Sequence, residues 1–151
     1  MNNNRLLDLR EDSDLLQKDI ANILGICRQT YSTWENNLSI IPLKHLLTLS
    51  NYYNVSIDYI LKLSNTKSYE DTIKIKELNK QDIGNKIRTV RKENNITLRD
   101  IAKVLNTTSS TISAYETGKT LLLTAFAIQI AKEYNVSIDW ICGLKSDKNR
   151  M

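Results

Sequence analysis

Apolar residues recur at helical spacing along most of the chain, and short polar clusters interrupt them at regular intervals. Ile20, Ile23 and Leu24 stand at i, i+3 and i+4, which places them on one inward face of a helix from about Gln17 to Leu24. Gly25 stops that helix. Leu6 and Leu9 mark the inward side of an earlier helix over roughly 4–12. A third helix begins after Cys27 and reaches Glu35 or Asn36. A fourth follows Pro42, a favoured first-turn residue, and turns Leu43, Leu46, Leu47, Leu49 and Tyr53 inward. A fifth is capped by Ser56 and carries Ile57, Ile60 and Leu61. Five more helices are predicted at about 82–93, 98–105, 109–117, 123–134 and 138–144. Thr97-x-x-Asp100 opens the second of these like a capping box, with Asp in place of Glu or Gln.

The second set of five is a copy of the first. Tyr53-Asn54-Val55-Ser56-Ile57-Asp58 recurs as Tyr134-Asn135-Val136-Ser137-Ile138-Asp139, an offset of 81. The same offset pairs Arg10 with Arg91, Asp19-Ile20-Ala21 with Asp100-Ile101-Ala102, Thr30 with Thr111, Ser32 with Ser113 and Glu35 with Glu116. Residues 5–64 and 86–145 share 16 identities in 60 without a gap. Most remaining exchanges keep polarity, as in Trp34/Tyr115 and Tyr59/Trp140. The chain is therefore a duplicated unit of about sixty residues. We read 1–64 and 82–151 as two domains and 65–81 as a polar linker. Ile73, Ile75 and Leu78 form a mixed-charge run there that fits a short helix.

Composition agrees with an all-α fold. Four glycines and one proline in 151 residues are too few for the many turns of an all-β chain. The net charge of +4 is unevenly placed. Residues 1–64 hold six Lys/Arg against seven Asp/Glu, a balance of −1, whereas residues 84–151 hold eleven against six, a balance of +5. A basic half suits a polyanion, because neutralised phosphates release counterions. Two cysteines far apart give neither a disulfide framework nor a zinc site and fit a reducing cytoplasm. No apolar run approaches the ~20 residues needed to span a bilayer, and no signal peptide follows Met1. Membrane partners, metals and other cofactors are accordingly not expected, nor is a small-molecule ligand.

Residues 106–119 focus these observations. Thr108 suits a helix N-cap, Ser109 and Ser110 line the exposed first turn, Ile112 and Tyr115 share an apolar back, and Gly118 suits a left-handed stop. A hydroxyl-lined front of this kind contributes nothing to a core but can meet the edges of bases. Ala21 and Ala102 are small enough for a close crossing between second and third helices, and Tyr31 and Ile112 can pin the third helix down. Together these make a helix-turn-helix in each copy.

At these residues the chain resembles the Cro/phage-repressor (XRE-type, lambda-repressor-like) helix-turn-helix family. The Ile-Ala-x-x-Leu, Ser/Thr-x-x-Thr-(Ile/Tyr)-Ser and aromatic-Glu-x-Gly-Lys pieces carry the likeness, over roughly 5–64 and 84–144. The resemblance implies two five-helix domains whose third helices enter the major groove. Base-facing residues carried over from it are Arg28, Gln29, Ser32 and Thr33 in copy one, and Ser109, Ser110, Ser113 and Ala114 in copy two. Arg suits guanine and Gln suits adenine, whereas Ser discriminates weakly and Ala meets only a thymine methyl. Backbone contacts fall to Gln17, Lys18 and Asn36 in copy one, and to Arg99, Thr108, Thr117, Lys119 and Thr120 around the second motif. Leu98 replaces the family's usual Gln, which Gln17 retains, and Leu38 stands where copy two has Lys119.

The resemblance further implies a sequence-specific regulator of transcription, bacterial or phage, acting as a repressor on double-stranded DNA. An internal pseudo-dimer and a homodimer are both open to it. The rival reading gives DNA to domain 2 alone and makes domain 1 a protein-interaction or dimerisation module, with Ile57, Ile60 and Leu61 or Ile138, Ile141 and Cys142 as candidate interface. An enzyme is not expected. Glu35 and Glu116 are read as ion-pair partners of Arg10 and Arg91, as is common in this family, and not as catalytic acids. Trp34, Tyr59, Tyr115 and Trp140 are read as packing residues, His45 as a solvated helix residue, and Cys27 as a small cap-site residue. Ser56 and Ser137 are caps, because no histidine stands ready to activate either.

Overall fold

A computed structural model describes residues 2–150. The helices are α1 (Leu6–Asp12), α2 (Gln17–Leu24), α3 (Arg28–Glu35), α4 (Leu43–Tyr53), α5 (Ile57–Ile60), α6 (Lys80–Glu93), α7 (Leu98–Val104), α8 (Ser109–Glu116), α9 (Thr124–Tyr134) and α10 (Ile138–Cys142). They form two compact units, one holding the described residues up to Glu70 and one spanning Asp71–Arg150. Among the described residues there is no strand, only an isolated bridge between Thr72 and Lys145.

In the first unit Leu6, Ile20, Tyr31, Leu46, Leu49, Ile57 and Ile60 are wholly buried, so all five helices contribute to one core. The second unit repeats this with Ile87, Ile101, Ile112, Ile130, Ile138 and Ile141. Ala21 and Ala102 are buried at the crossings of second and third helices. Ser56 and Ser137 cap α5 and α10 by accepting from the N–H of Tyr59 and Trp140. The Thr97–Asp100 capping box is complete, and its reciprocal bond holds the Asp100 carboxyl below its usual range. In copy one only half survives: Asp19 accepts from the Leu16 N–H at 2.8 Å, but leucine has no oxygen to return the bond. Asn37 takes the left-handed conformation that Gly118 takes in its twin, with φ of 59° and 75°.

Several expectations need correction. Ile23 is 38% exposed and its twin Val104 46%, because α2 and α7 bury the narrow stripe of Ile20 and Ala21, or Ile101 and Ala102, and leave the next position at the surface. Residues 73–78 are not helical. Instead Ile73 donates its N–H to Leu144 O, and Asp71 accepts from Ser146 and Asp147. These bonds, with the isolated bridge of Thr72 to Lys145, tie the segment to the end of the second unit. His45 is not solvated: its ring lies 5.4 Å from that of Trp34, and burial, then Lys44, lowers its pKa. Phe126 occupies the same place against Tyr115 in the second unit, with centroids 5.9 Å apart. The proposed helix-5 interface fails too, since Ile57, Ile60, Leu61, Ile138, Ile141 and Cys142 are all buried in their own cores.

The two first helices differ in length. Asn79 caps α6 two turns upstream of the point where α1 begins in register, accepting from the Asp82 N–H. The extra turns pass close to the end of α8, and Gly84 stands at the crossing.

Candidate nucleic-acid interface

Each third helix is held from behind by one carboxylate. In the first unit Glu35 receives Arg10 Nε at 2.6 Å and Nη2 at 3.0 Å, while Arg10 Nη1 donates to Leu15 O at 2.9 Å. In the second, Glu116 receives Arg91 Nε at 2.8 Å and Nη2 at 3.0 Å, and Arg91 Nη1 reaches Ile96 O at 3.3 Å. Each arginine therefore ties the end of helix 3 to helix 1 and to the turn before helix 2. Burial alone would raise the Glu35 carboxyl, but donors led by Arg10 outweigh it and hold the carboxyl below its ordinary value. The pair is an architectural clamp, as expected from Arg10, Arg91, Glu35 and Glu116.

The third donor to each carboxylate differs. Gln17 Nε2 donates to Glu35 Oε1 at 3.1 Å, and Gln17 Oε1 accepts from Arg28 Nη1 at 3.1 Å. A chain of bonds thus runs from the buried clamp to the first residue of α3. Leu98 and Ser109 break that chain in the second unit. Arg88 substitutes there, donating to Glu116 Oε1 at 3.3 Å while 45% of its side chain stays exposed. Sequence reasoning missed Arg88, because its twin is the apolar Leu7.

The candidate contact residues lie at each third helix and the adjoining elements. On the first unit Lys18, Arg28, Gln29 and Asn36 are exposed, and Gln17, Ser32 and Thr33 are half-buried. On the second, Arg99, Thr108, Ser109, Ser110, Thr117, Lys119 and Thr120 are exposed, and Ser113 and Ala114 half-buried. Their hydroxyls are not equally available. Thr108 caps α8 by accepting from the Thr111 N–H. Thr117 donates to Ser113 O at 2.9 Å, and Thr33 donates to Thr30 O at 2.6 Å. Ser32 accepts from Asn36 at 3.2 Å and keeps its proton. Cys27 occupies the N-cap of α3, where a hydrogen bond with Thr30 lowers its thiol pKa.

The rims differ as well. Leu16 is 57% exposed and Leu38 77%, at positions where the second unit carries Thr97 and Lys119. A surface edged by a lysine can attract an anion such as phosphate, whereas one edged by leucines cannot. Among the described residues, no group of three or more His, Cys, Asp or Glu is placed to hold a metal ion, and no helix is long and apolar enough to cross a membrane.

Comparison with known proteins agrees with this geometry. Residues 6–60 match a family model described as "Helix-turn-helix", and residues 84–146 one described as "Helix-turn-helix domain". Over 66 residues the chain is 38% identical to the uncharacterized HTH-type transcriptional regulator YqaE of Bacillus subtilis (strain 168), covering 43% of this chain and 57% of that protein. Over 60 residues it is 37% identical to the uncharacterized HTH-type transcriptional regulator YobD of the same organism, covering 40% and 54%. The chain thus spans little more than half the length of the relatives it matches. The clp gene regulator ClgR from C. glutamicum aligns loosely over 43% of this chain and 84% of its own, at 18% identity and a TM-score of 0.39. With both units matched and both built on the same clamped third helix, the chain carries two helix-turn-helix domains in tandem, at residues 6–60 and 84–146.

Proposed function

We propose that this protein is a sequence-specific, double-stranded DNA-binding regulator of transcription, acting as a repressor in the cytoplasm and reading the major groove with α3 and α8. The observation that carries this reading is α8 itself. Ser109 and Ser110 are exposed and Ser113 half-buried, their hydroxyls uncommitted to other described side chains, beside exposed Arg99, Lys119 and Thr120, on a helix fixed from behind by Glu116. Lysine and arginine supply attachment to phosphates, and the hydroxyls meet base edges. On α3, Arg28 and Gln29 offer the stronger base chemistry, Arg28 already oriented by Gln17. The two working domains of this proposal are the compact units themselves, one up to Glu70 and one from Asp71 to Arg150, so the segment read as a linker over 65–81 is divided between them. A homodimer would place equivalent helices one helical turn, ~34 Å, apart. The chain acts by binding, not by catalysis.

A second reading rests on the exposed Leu16 and Leu38: domain 1 binds protein and only domain 2 binds DNA. Full-length variants separate the two. Anisotropy on a selected duplex over a salt series is measured for Arg28→Ala with Gln29→Ala, and for Arg99→Ala with Lys119→Ala. The lead reading expects both pairs to weaken binding, and the second pair to flatten the salt dependence. Loss confined to the second pair favours the rival, and no effect from either pair removes both.

A further inference from the structure

The structural repeat continues past the last residues that look alike in sequence. The Ser56 N–H donates to Lys67 O at 2.5 Å, and the Ser137 N–H donates to Lys148 O at 2.7 Å, again at the offset of 81. In each unit the chain after helix 5 therefore folds back onto the start of that helix. The first unit holds this tail twice more. Ser56 Oγ donates to Thr66 O at 2.9 Å, and the Tyr69 hydroxyl donates to Asp58 Oδ2 at 2.7 Å. Tyr69 and Asp58 are both buried, so the first unit keeps its grip on the chain as far as Tyr69.

The second unit takes hold at once on the other side. Asp71 accepts from the Asp147 N–H at 2.9 Å, the Ser146 hydroxyl at 3.1 Å and the Ser146 N–H at 3.2 Å. Thr72 bridges to Lys145, and the Ile73 N–H donates to Leu144 O at 2.7 Å. Between the anchored Tyr69 and the anchored Asp71 stands one residue, the exposed Glu70. The seventeen residues of 65–81, if extended, would span about 60 Å, whereas the two steps from Tyr69 to Asp71 span at most about 7 Å.

Resting on the DNA-binding reading above, we infer that this join selects the spacing of half-sites. Linked readers bind as one only where the link can span both sites, and the gain is lost where it cannot. A long free linker would let the third helices of one chain settle on half-sites several helical turns apart. A join of one residue confines them to a narrow range of separations. Tyr69 and Asp71 thus become specificity-determining residues that need not touch DNA.

The test uses the full chain and the duplex it selects from random DNA. The spacer between half-sites is lengthened by one helical turn, about 34 Å, which keeps both half-sites on the same face. Affinity is read by anisotropy at fixed salt. The native chain should lose about 100-fold and fall to the affinity it has for a single half-site. A Gly-Ser insert of about thirty residues between Glu70 and Asp71 leaves both sets of bonds in place and adds about 30 Å of reach. That variant should lose less than about ten-fold on the lengthened duplex. Tyr69→Phe with Asp71→Ala unties the join without an insert and should show a loss between these two. A native chain that tolerates the added turn, an insert variant that loses as much as the native chain, or a selected motif with a single half-site overturns the inference while DNA binding stands. Failure to bind any duplex at low salt removes the inference together with the reading on which it rests.

Discussion

Replacing Gly84 by alanine should destabilise the second unit, although the same change raises helix propensity. Gly84 lies within α6, where alanine would ordinarily gain about 1 kcal/mol. A Cβ at Gly84, however, would stand 2.2 Å from Tyr115 O, 2.6 Å from Glu116 O and 2.8 Å from Glu116 C. All three are backbone atoms at the end of α8, so no side chain can swing aside. Reaching an ordinary 3.4 Å contact requires a shift of about 1.2 Å at Tyr115 O. Overpacking of this kind costs about 1–3 kcal/mol or more in a close-packed interior. The steric cost wins, and a net loss of about 1–2 kcal/mol lowers Tm by roughly 4–16 °C for a domain of this size. Each unit contains one tryptophan, Trp34 or Trp140, so a Trp34→Phe background leaves Trp140 to report the second unit. Thermal and urea unfolding by that fluorescence measure the effect. A neutral or stabilising Gly84→Ala would refute the close crossing of α6 and α8.

Three further outcomes follow from the contacts. Arg91→Ala leaves the buried Glu116 carboxylate with only the partly exposed Arg88 and should cost about 3–5 kcal/mol by urea unfolding, whereas Arg88→Ala should cost less than about 1 kcal/mol. Burial lowers the His45 pKa, so below about pH 6.5 the unfolded chain takes up the proton first and the first unit loses stability. His45→Phe, which copies Phe126, should flatten that slope, and the depressed Glu35 carboxyl should add a separate loss only as pH falls below its unfolded value, about 4.3. Ser137→Ala removes the cap of α10 and should cost about 1 kcal/mol in the second unit's unfolding.

Features repeated at the offset of 81 were the most legible. The five-helix pattern, the Arg–Glu clamps and the serine caps each occur twice, so one copy checked the other. What escaped the sequence depended on differences between the copies. Arg88 joins a buried carboxylate from a position where its twin is leucine. His45 reads as a polar surface residue until Phe126 is seen in the same contact with an aromatic ring of helix 3. Gly84 resembles a flaw in a helix, because the backbone it must admit is some thirty residues away. Ile73 and its neighbours carry helical spacing, but a tertiary edge at Leu144 takes the backbone N–H of Ile73 instead. Among the candidate contact residues, hydroxyl commitment was not readable. Thr33 and Ser113 are both hydroxyl-bearing in sequence, and only the fold shows Thr33 donating its proton inward.

Selection of bound sites from random duplex DNA by the full-length protein tests the central claim most directly. Two clamped third helices acting as readers predict an enriched motif with two half-sites, and an affinity that falls steeply as salt rises. No enrichment over the starting pool, with no duplex binding even at low salt, would contradict the account.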